Sequence, residues 1–518
     1  MVSRTPTRFG GSIDRAGDDA TAHWVSFVTT ITMAQAEQQL RPGRMLIGDE
    51  WLSEGSGGEY IHINPSTGGP HPPIPFSGPA EIDRAVQVAK VAQAGWWAMP
   101  ADARRDAMLR LAGLIREHAE DLATLTVLDN GAVRRNAHGG AMAAADHISY
   151  FAGWIDKAGG EVIPTWPAPA LDYSIMEPYG VVGVIIPWNQ PMHNIGQVIG
   201  AALAAGNAVL FKPPELAPFT ALRFGELVLE AGIPPGVVNI VPGGADSGRA
   251  LVGHPGIDKI HFIGSGATAR QIMTSAAETL KPLTFELGGK SANVVFADAD
   301  LGSAAGLAAF LAMGHSGQGC LLPTRLLVED SIYDQFASMV VGITQMMKVG
   351  DPFEVETTMG PVINAQACER ILGVIERARS EGTGKLLLGG ERLGGELKDG
   401  FFIEPTIFGD VDNASDLAQN EVFGPVLAVI RFHDEEEAIA LANDSSYGLA
   451  AYVQTNDLRR GHRMAAALEV GMVSVNGFTG VHAGAPFGGV KQSGFGRMGG
   501  RYGLEDFMRP KNVYIPLG

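Results

Sequence analysis

Between Val181 and Thr279 the chain alternates apolar runs with helical stretches at a spacing that few architectures accommodate. Val181–Ile186 is apolar without interruption, the pattern of a strand covered on both faces. A small-residue helix is expected over 191–205 and a strand over 207–211. A helix over 217–231, strands over 237–241 and 258–263, and a helix over 267–279 follow. Strand–crossover–strand units of this length build a parallel sheet with helices on both faces, so a doubly wound, Rossmann-like α/β unit is predicted. Ligands bind such sheets beyond the carboxyl ends of the strands, which directs attention to the residues that follow each one.

Other segments extend this plan. A hairpin is expected at Ile47–Trp51, helices over 80–97 and 101–127, and a second α/β region after Leu283–Glu286 with strands at 291–296 and 325–328. Asp434 and Glu437 have the spacing of a capping box at a helix start. Short strands at 161–164 and 171–176 flank a proline-rich turn, and residues 507–518 read as extended, an arm of the kind that pairs subunits. The predicted organisation is a flexible N-terminal extension over 1–40, with Met33 as a more natural beginning. A cofactor-binding unit follows over 41–158 and 180–286, then a catalytic α/β unit over 287–492. A small β oligomerisation element combines 159–179 with 493–518.

With 518 residues, 46% of them hydrophobic, the chain can bury a large core divided among two or three domains. A formal net charge of -18 argues against nucleic acid as a partner, since a phosphate backbone needs a basic surface. No apolar run reaches the ~18 residues that span a membrane. The two cysteines permit no disulfide framework, which fits a reducing, cytoplasmic setting. The 13 histidines show no HExxH spacing, and no metal is expected.

Several segments carry chemistry. In Gly317-Gln318-Gly319-Cys320 glycines flank a thiol and let backbone amides approach it, which suits a nucleophile. Cys368, at helical spacing with Ile371, Leu372 and Ile375, reads as a packing residue. Glu286 stands among apolar residues and glycines in Phe285-Glu286-Leu287-Gly288-Gly289-Lys290, surroundings that raise a carboxylate pKa and make it a general base. Asn189, beyond the first strand, is either an oxyanion donor or a turn asparagine. Lys212 and Glu215 end the next strand as nucleotide-ribose contacts or as a surface ion pair; a carboxylate there repels a 2′-phosphate and favours NAD over NADP. Gly264-Ser265-Gly266-Ala267-Thr268-Ala269 runs from strand into helix, where free amides and the Ser265 hydroxyl suit a pyrophosphate.

In order, Trp188-Asn189, Lys212-Pro213-Pro214-Glu215, Gly264-Ser265, Glu286-Leu287-Gly288-Gly289-Lys290, Gln318-Gly319-Cys320, Glu421-Val422-Phe423-Gly424-Pro425 and Pro486 to Gly494 closely resemble the aldehyde dehydrogenase superfamily from about residue 45 onward. The resemblance implies oxidation of an aldehyde to its acid with NAD. Cys320 is then the nucleophile, Glu286 the base for the hydrolytic water, and Asn189 with the Cys320 amide the oxyanion hole. It assigns Lys212 and Glu215 to the adenine ribose, Ser265 to phosphate, and Glu421 and Phe423 to the nicotinamide ribose and ring. Trp188, Gly244, Gly264 and Leu287 line the cofactor cleft. Gln190, Asn194, Gln197, Leu321 and Val481 align with the substrate tunnel, a mixed lining that leans toward a medium-sized aliphatic or oxygenated aldehyde. The hairpin over 159–179 would otherwise leave open edges, which predicts a homodimer or homotetramer. Two departures stand out: Met498 where many members carry a glutamate tied to proton transfer, and Ala269 for a common glycine. His315 as a partner of Cys320 is the competing assignment for the base. The alternatives in function are a relative that passes the acyl group to coenzyme A and a catalytically silent structural relative. Glu286 argues against the first, and the trio Cys320, Glu286 and Asn189 against the second. A Tyr-x-x-x-Lys reductase is excluded because no such pair occurs.

Overall fold

The computed structural model describes residues 31–478 and 480–517. An eight-stranded sheet runs in the order Glu50–Leu52, Met45–Ile47, Val238–Ile240, Ala208–Lys212, Val181–Ile185, Lys259–Ile263, Leu283–Glu286, Gly494–Phe495. Its five central strands are parallel, with antiparallel strands at both edges. Every residue of Val181–Ile185, Ala208–Lys212 and Lys259–Ile263 is buried, which is why Val181–Ile185 reads as an unbroken apolar run, while the other two are apolar apart from Lys212, Lys259 and His261. Alternate side chains enter opposite layers. Val182, Val184, Val209 and Phe211 join one core, and Val181, Ile185, Ala208 and Leu210 the other. Truncating fully buried Phe211 to alanine would cost about 3–5 kcal/mol.

A seven-stranded sheet follows in the order Lys385–Leu388, Thr406–Gly409, Val426–Phe432, Arg325–Glu329, Ala292–Val295, Ala450–Gln454, Met472–Val475, parallel except for its first strand. Residues 287–291 join the carboxyl end of Leu283–Glu286 in the first sheet to the amino end of Ala292–Val295 in the second. The carboxyl edge of one sheet therefore meets the amino edge of the other. A third, antiparallel sheet pairs Met508–Pro516 along its whole length with Ala170–Pro178, which also pairs with Val162–Ile163.

The structure differs from expectation in identifiable places. Residues 33–40 are no extension. Thr32 caps the helix Met33–Gln39 reciprocally with Gln35, and Met33, Ala36 and Leu40 are buried with Val127, Leu128 and Phe219. The expected flexibility of residues 1–30 lies outside the described residues. The stretch 101–127 is two helices, Ala101–Glu117 and Ala119–Asn130, parted at His118, where φ is -98° and ψ 19°. Helices Arg134–Ala152 and Ala245–Gly253 were not anticipated. The Asp434 side chain caps Glu437 N as expected, but the Glu437 carboxylate turns to the His433 amide and ring, so the box is not closed on Asp434 itself. Within 493–518, Gly494–Phe495 belongs to the large sheet, and only Met508–Pro516 to the small one.

Candidate active site

The five parallel strands of the first sheet deliver five of the expected segments to one edge. Trp188-Asn189-Gln190 follows Val181–Ile185, and Lys212 ends Ala208–Lys212. Gly244 follows Val238–Ile240, Gly264-Ser265 follows Lys259–Ile263, and Glu286 ends Leu283–Glu286. Cys320 and Glu421-Val422-Phe423 come from the second sheet, just ahead of Arg325–Glu329 and Val426–Phe432, and meet that edge from across the junction.

The loop that carries the thiol is sharply bent. After the helix Leu301–Met313, His315, Ser316 and Gly317 take left-handed backbone with φ of 48°, 57° and 71°. Only the third is a glycine, so two residues hold strained backbone that the surroundings must enforce. Ser316 Oγ donates to the Gly360 carbonyl at 2.7 Å, and Gln318 Nε2 to the His315 carbonyl at 3.0 Å. Gln318 Oε1 accepts from the Ile363 amide at 2.9 Å. A Cβ on Gly317 would fall 1.9 Å from the Gly424 carbonyl oxygen, so the loop packs directly on the Glu421–Pro425 segment. Asn189 Nδ2 donates to the Gln318 carbonyl at 2.9 Å, while Asn189 Oδ1 is buried without a partner. Asn130 Nδ2 steadies this turn by donating to the carbonyls of Trp188 at 2.8 Å and Asn189 at 3.2 Å.

Cys320 keeps part of its surface accessible, yet dense surroundings push its thiol up to about 12, with the carboxylates of Glu421 and Glu286 adding to the burial. Glu286 is 2% exposed, and neither carboxylate oxygen has a hydrogen-bond partner; the Gly489 amide lends only weak support. Burial holds it well above the usual carboxylate range, opposed by Arg497 and reinforced by Asp506. Arg497 spends its guanidinium on the Gly489 and Gly496 carbonyls at 2.9 and 2.7 Å. A Cβ on Gly488 would lie 2.6 Å from Glu286 Oε1, so this carboxylate is walled by a glycine. Met498 is buried, pairing its backbone with Phe487 at 2.7 Å in both directions. His315 lies in the bent loop with its pKa lowered to about 4 by burial.

The remaining residues form a groove. Lys212 Nζ, buried, donates to the carbonyls of Gly243 at 2.5 Å and Pro213 at 3.1 Å, and stands 3.5 Å from the half-exposed Glu215 carboxylate. Gly244 caps the helix Ala245–Gly253 and faces Phe76, 3.5 Å from where a Cβ would sit. Ser265 caps Gly266–Ala277, its hydroxyl accepting from Thr268 N at 3.2 Å; the amides of Gly266 and Ala267 lack intrahelical partners, as first-turn amides do. Trp188 and Phe423 meet edge to face at 5.5 Å, and Phe423 takes left-handed backbone with φ 49°. Glu421 accepts from the Gly289 amide at 3.0 Å, and burial raises it to about 7. Leu287 donates its amide to the Ser493 carbonyl at 3.0 Å. Free amides at a helix start, a lysine and carboxylate beside a strand end, an aromatic pair and a second carboxylate form a set that fits a dinucleotide. Among the described residues no group of three or more His, Cys, Asp or Glu side chains is placed to hold a metal.

Of the expected substrate-facing residues, Leu321 and Val481 pack partly buried on the same core as Cys320. Gln190, Asn194 and Gln197 follow Asn189 along one helical segment. The Tyr452 hydroxyl donates to the Leu321 carbonyl at 3.1 Å. Sequence reasoning passed over Asn130, Phe76 and Arg497, which reach the site from distant segments and leave no local pattern. Gln318 could have been singled out, since it lies in the thiol run itself.

The aldehyde dehydrogenase family profile matches residues 51–513. An aldehyde dehydrogenase of Aspergillus niger is 39% identical over 492 residues, covering 94% of this chain and 98% of that protein. The NAD+ complex of an aldehyde dehydrogenase from Bacillus cereus superposes with a TM-score of 0.91 at 38% identity, covering 95% of this chain and 100% of the other. Betaine aldehyde dehydrogenase from Staphylococcus aureus in complex with NAD+ gives 0.90 at 35% identity, with 93% and 97% covered. The agreement spans both large sheets and the junction between them, and the chain belongs to the aldehyde dehydrogenase family.

Proposed function

We propose that the protein oxidises an aldehyde with NAD and releases the free carboxylic acid through a thioester on Cys320. The observation that supports this most directly is the bond from Asn189 Nδ2 to the Gln318 carbonyl, which ties the proposed oxyanion donor to the loop that carries the thiol. In the proposed reaction Cys320 Sγ, as thiolate, bonds to the aldehyde carbon, and the carbonyl oxygen takes up the negative charge. The second N–H of Asn189 Nδ2 and the Cys320 amide donate to that oxygen. When bound, NAD supplies the hydride acceptor and a ring cation that favours the thiolate over the thiol. Departure of hydride leaves the acyl group on Sγ. Glu286 then takes a proton from water, whose oxygen bonds to the acyl carbon and displaces the sulfur. Burial raises this carboxylate well above its usual range and so makes it a stronger base toward water.

Lys212 and Glu215 would hold the adenine ribose, Gly264, Ser265 and the amides after them the pyrophosphate, and Glu421 and Phe423 the nicotinamide ribose and ring. Trp188, Gly244 and Leu287 would wall the groove. The two large sheets correspond to a cofactor-binding and a catalytic unit. The small sheet exposes Val162, Leu171 and Ile515, the residues beside it expose Trp166 and Leu517, and its outer strand Met508–Pro516 has an open edge, features that favour a homodimer or homotetramer. Two free cysteines are consistent with a reducing, cytoplasmic setting.

Cys320→Ala tests the reading: NADH formation should vanish while NAD binding, followed by quenching of tryptophan fluorescence, persists. Unchanged turnover rejects the nucleophile. Free acid formed without coenzyme A distinguishes hydrolysis from acyl transfer.

A further inference from the structure

The helix after Asn189 runs as Pro191–Asn194 in α geometry, widens into a π-turn over Ile195–Ile199 and returns to α over Gly200–Ala204. Wide turns displace side chains from regular positions and concentrate at functional sites. Gly196, inside this turn, lies against the helix Arg134–Ala152: a Cβ there would come 2.4 Å from Ala144 Cα. His147, one turn beyond Ala144, faces the same segment, and its ring meets His193 edge to face at 4.9 Å. His193 in turn feels the imidazole of His315, in the loop that leads to Cys320. Gln197 follows His193 by four residues, within the widened turn.

Two buried atoms on this face are orphaned. His147 Nδ1 is 2.8 Å from the Ala143 carbonyl, which can only accept, so Nδ1 carries the proton and Nε2 of the neutral ring is an acceptor. That Nε2 is buried without a partner. Gln197, only 2% exposed, has its Nε2 donor buried without a partner. Native proteins rarely leave such groups unmade, and each calls for an explanation. Burial lowers His147, takes His193 to about 3 and His315 to about 4, so these three rings offer hydrogen bonds without charge, although Asp146 and His482 also act on His147. One donor and one acceptor on two segments packed against each other are the complement of a hydroxyl group, whose single oxygen both accepts and donates.

We infer that the aldehyde taken by this protein is a hydroxylated aliphatic one, its hydroxyl donating to His147 Nε2 and accepting from Gln197 Nε2. The inference rests on the reading of Cys320 and Asn189 as the reaction centre, because that reading makes this face a wall of the substrate passage. A carboxylated or quaternary-ammonium aldehyde finds no charged partner in His147, His193, Gln197 or His315 themselves, and a plain alkyl aldehyde leaves both orphans unmade.

Matched pairs test it: glycolaldehyde with acetaldehyde, 3-hydroxypropanal with propanal, 4-hydroxybutanal with butanal, 6-hydroxyhexanal with hexanal. At one or more lengths the hydroxylated member should lead in kcat/KM by about tenfold or more. In His147→Leu and in Gln197→Leu that lead should fall to within about twofold. Equal or better use of the plain aldehyde at every length overturns the inference, as does a lead that survives both substitutions. Calorimetry of the same pairs with NAD-loaded Cys320→Ala reads affinity without turnover. If the wild-type protein makes no NADH from any aldehyde while this variant still prefers the hydroxylated members, the proposed reaction falls and the inference stands. An absence of preference in binding overturns the inference whatever the turnover.

Discussion

Alkylation of Cys320 by iodoacetamide in the cofactor-free protein should be slow at neutral pH and climb steeply in alkali. Only the thiolate reacts. With the thiol moved from 9.0 to about 12, the thiolate fraction at pH 8 drops roughly a thousandfold, equivalent to about 4 kcal/mol. A more basic thiolate is also more nucleophilic; with a Brønsted slope of about 0.4–0.5 the same shift returns roughly 15- to 30-fold. The net expectation is labelling about 30 to 60 times slower than for an unperturbed thiol at pH 8, rising about tenfold per unit up to about pH 10.5. Cys368, buried in the helix Ala365–Ser380, sets the background, read from Cys320→Ala protein. Glu421 contributes more to the shift than Glu286, so Glu421→Gln should accelerate labelling more than Glu286→Gln does. A rate that levels off below pH 9, or that neither substitution alters, would refute the electrostatic account of the thiol.

Glu286 should destabilise the fold as pH rises. Below about 4.5 both folded and unfolded chains hold its proton; above that the unfolded chain ionises while the folded one resists, so stability is lost up to the raised folded pKa. Glu286→Gln should therefore gain in Tm over the wild type between pH 5 and pH 8 and show no such gain at pH 4; a gain independent of pH contradicts the assignment. Gly288→Ala would set a Cβ 2.2 Å from the Glu421 carboxylate, the end of a side chain, so KM for NAD should rise about tenfold with little change in Tm. An unchanged KM would separate Glu421 from the cofactor. Glu215→Ala should narrow the preference for NAD over NADP, measured as the ratio of kcat/KM, and an unaltered ratio removes Glu215 from the ribose.

The parallel sheet was legible because strands buried on both faces leave apolar runs, uninterrupted in Val181–Ile186 and in Ala208–Phe211 before Lys212. The thiol run was legible because two glycines just ahead of a cysteine have little reason to occur in plain packing. Helix breaks were not. His118 parts two helices with neither proline nor glycine at the break, and the π-turn at Ile195–Ile199 lies where Gly196 packs closely on Ala144, a contact from a distant segment. The helix Arg134–Ala152 is rich in alanine and carries Gly139-Gly140, so its periodicity is faint. Met33–Gln39 offers only two buried side chains and depends on its cap and on partners far along the chain. Arg497 reaches Glu286 only because Gly494–Phe495 pairs with Leu283–Glu286, a contact that exists in the tertiary structure and in no local pattern.

Mass spectrometry of Glu286→Gln protein mixed with NAD and a turned-over aldehyde addresses the covalent intermediate directly. Cys320 should carry the acyl group of the aldehyde in near-stoichiometric amount, with one NADH formed per site and slow release after that. An unmodified Cys320 during NADH formation, or the adduct on Cys368, would contradict the account.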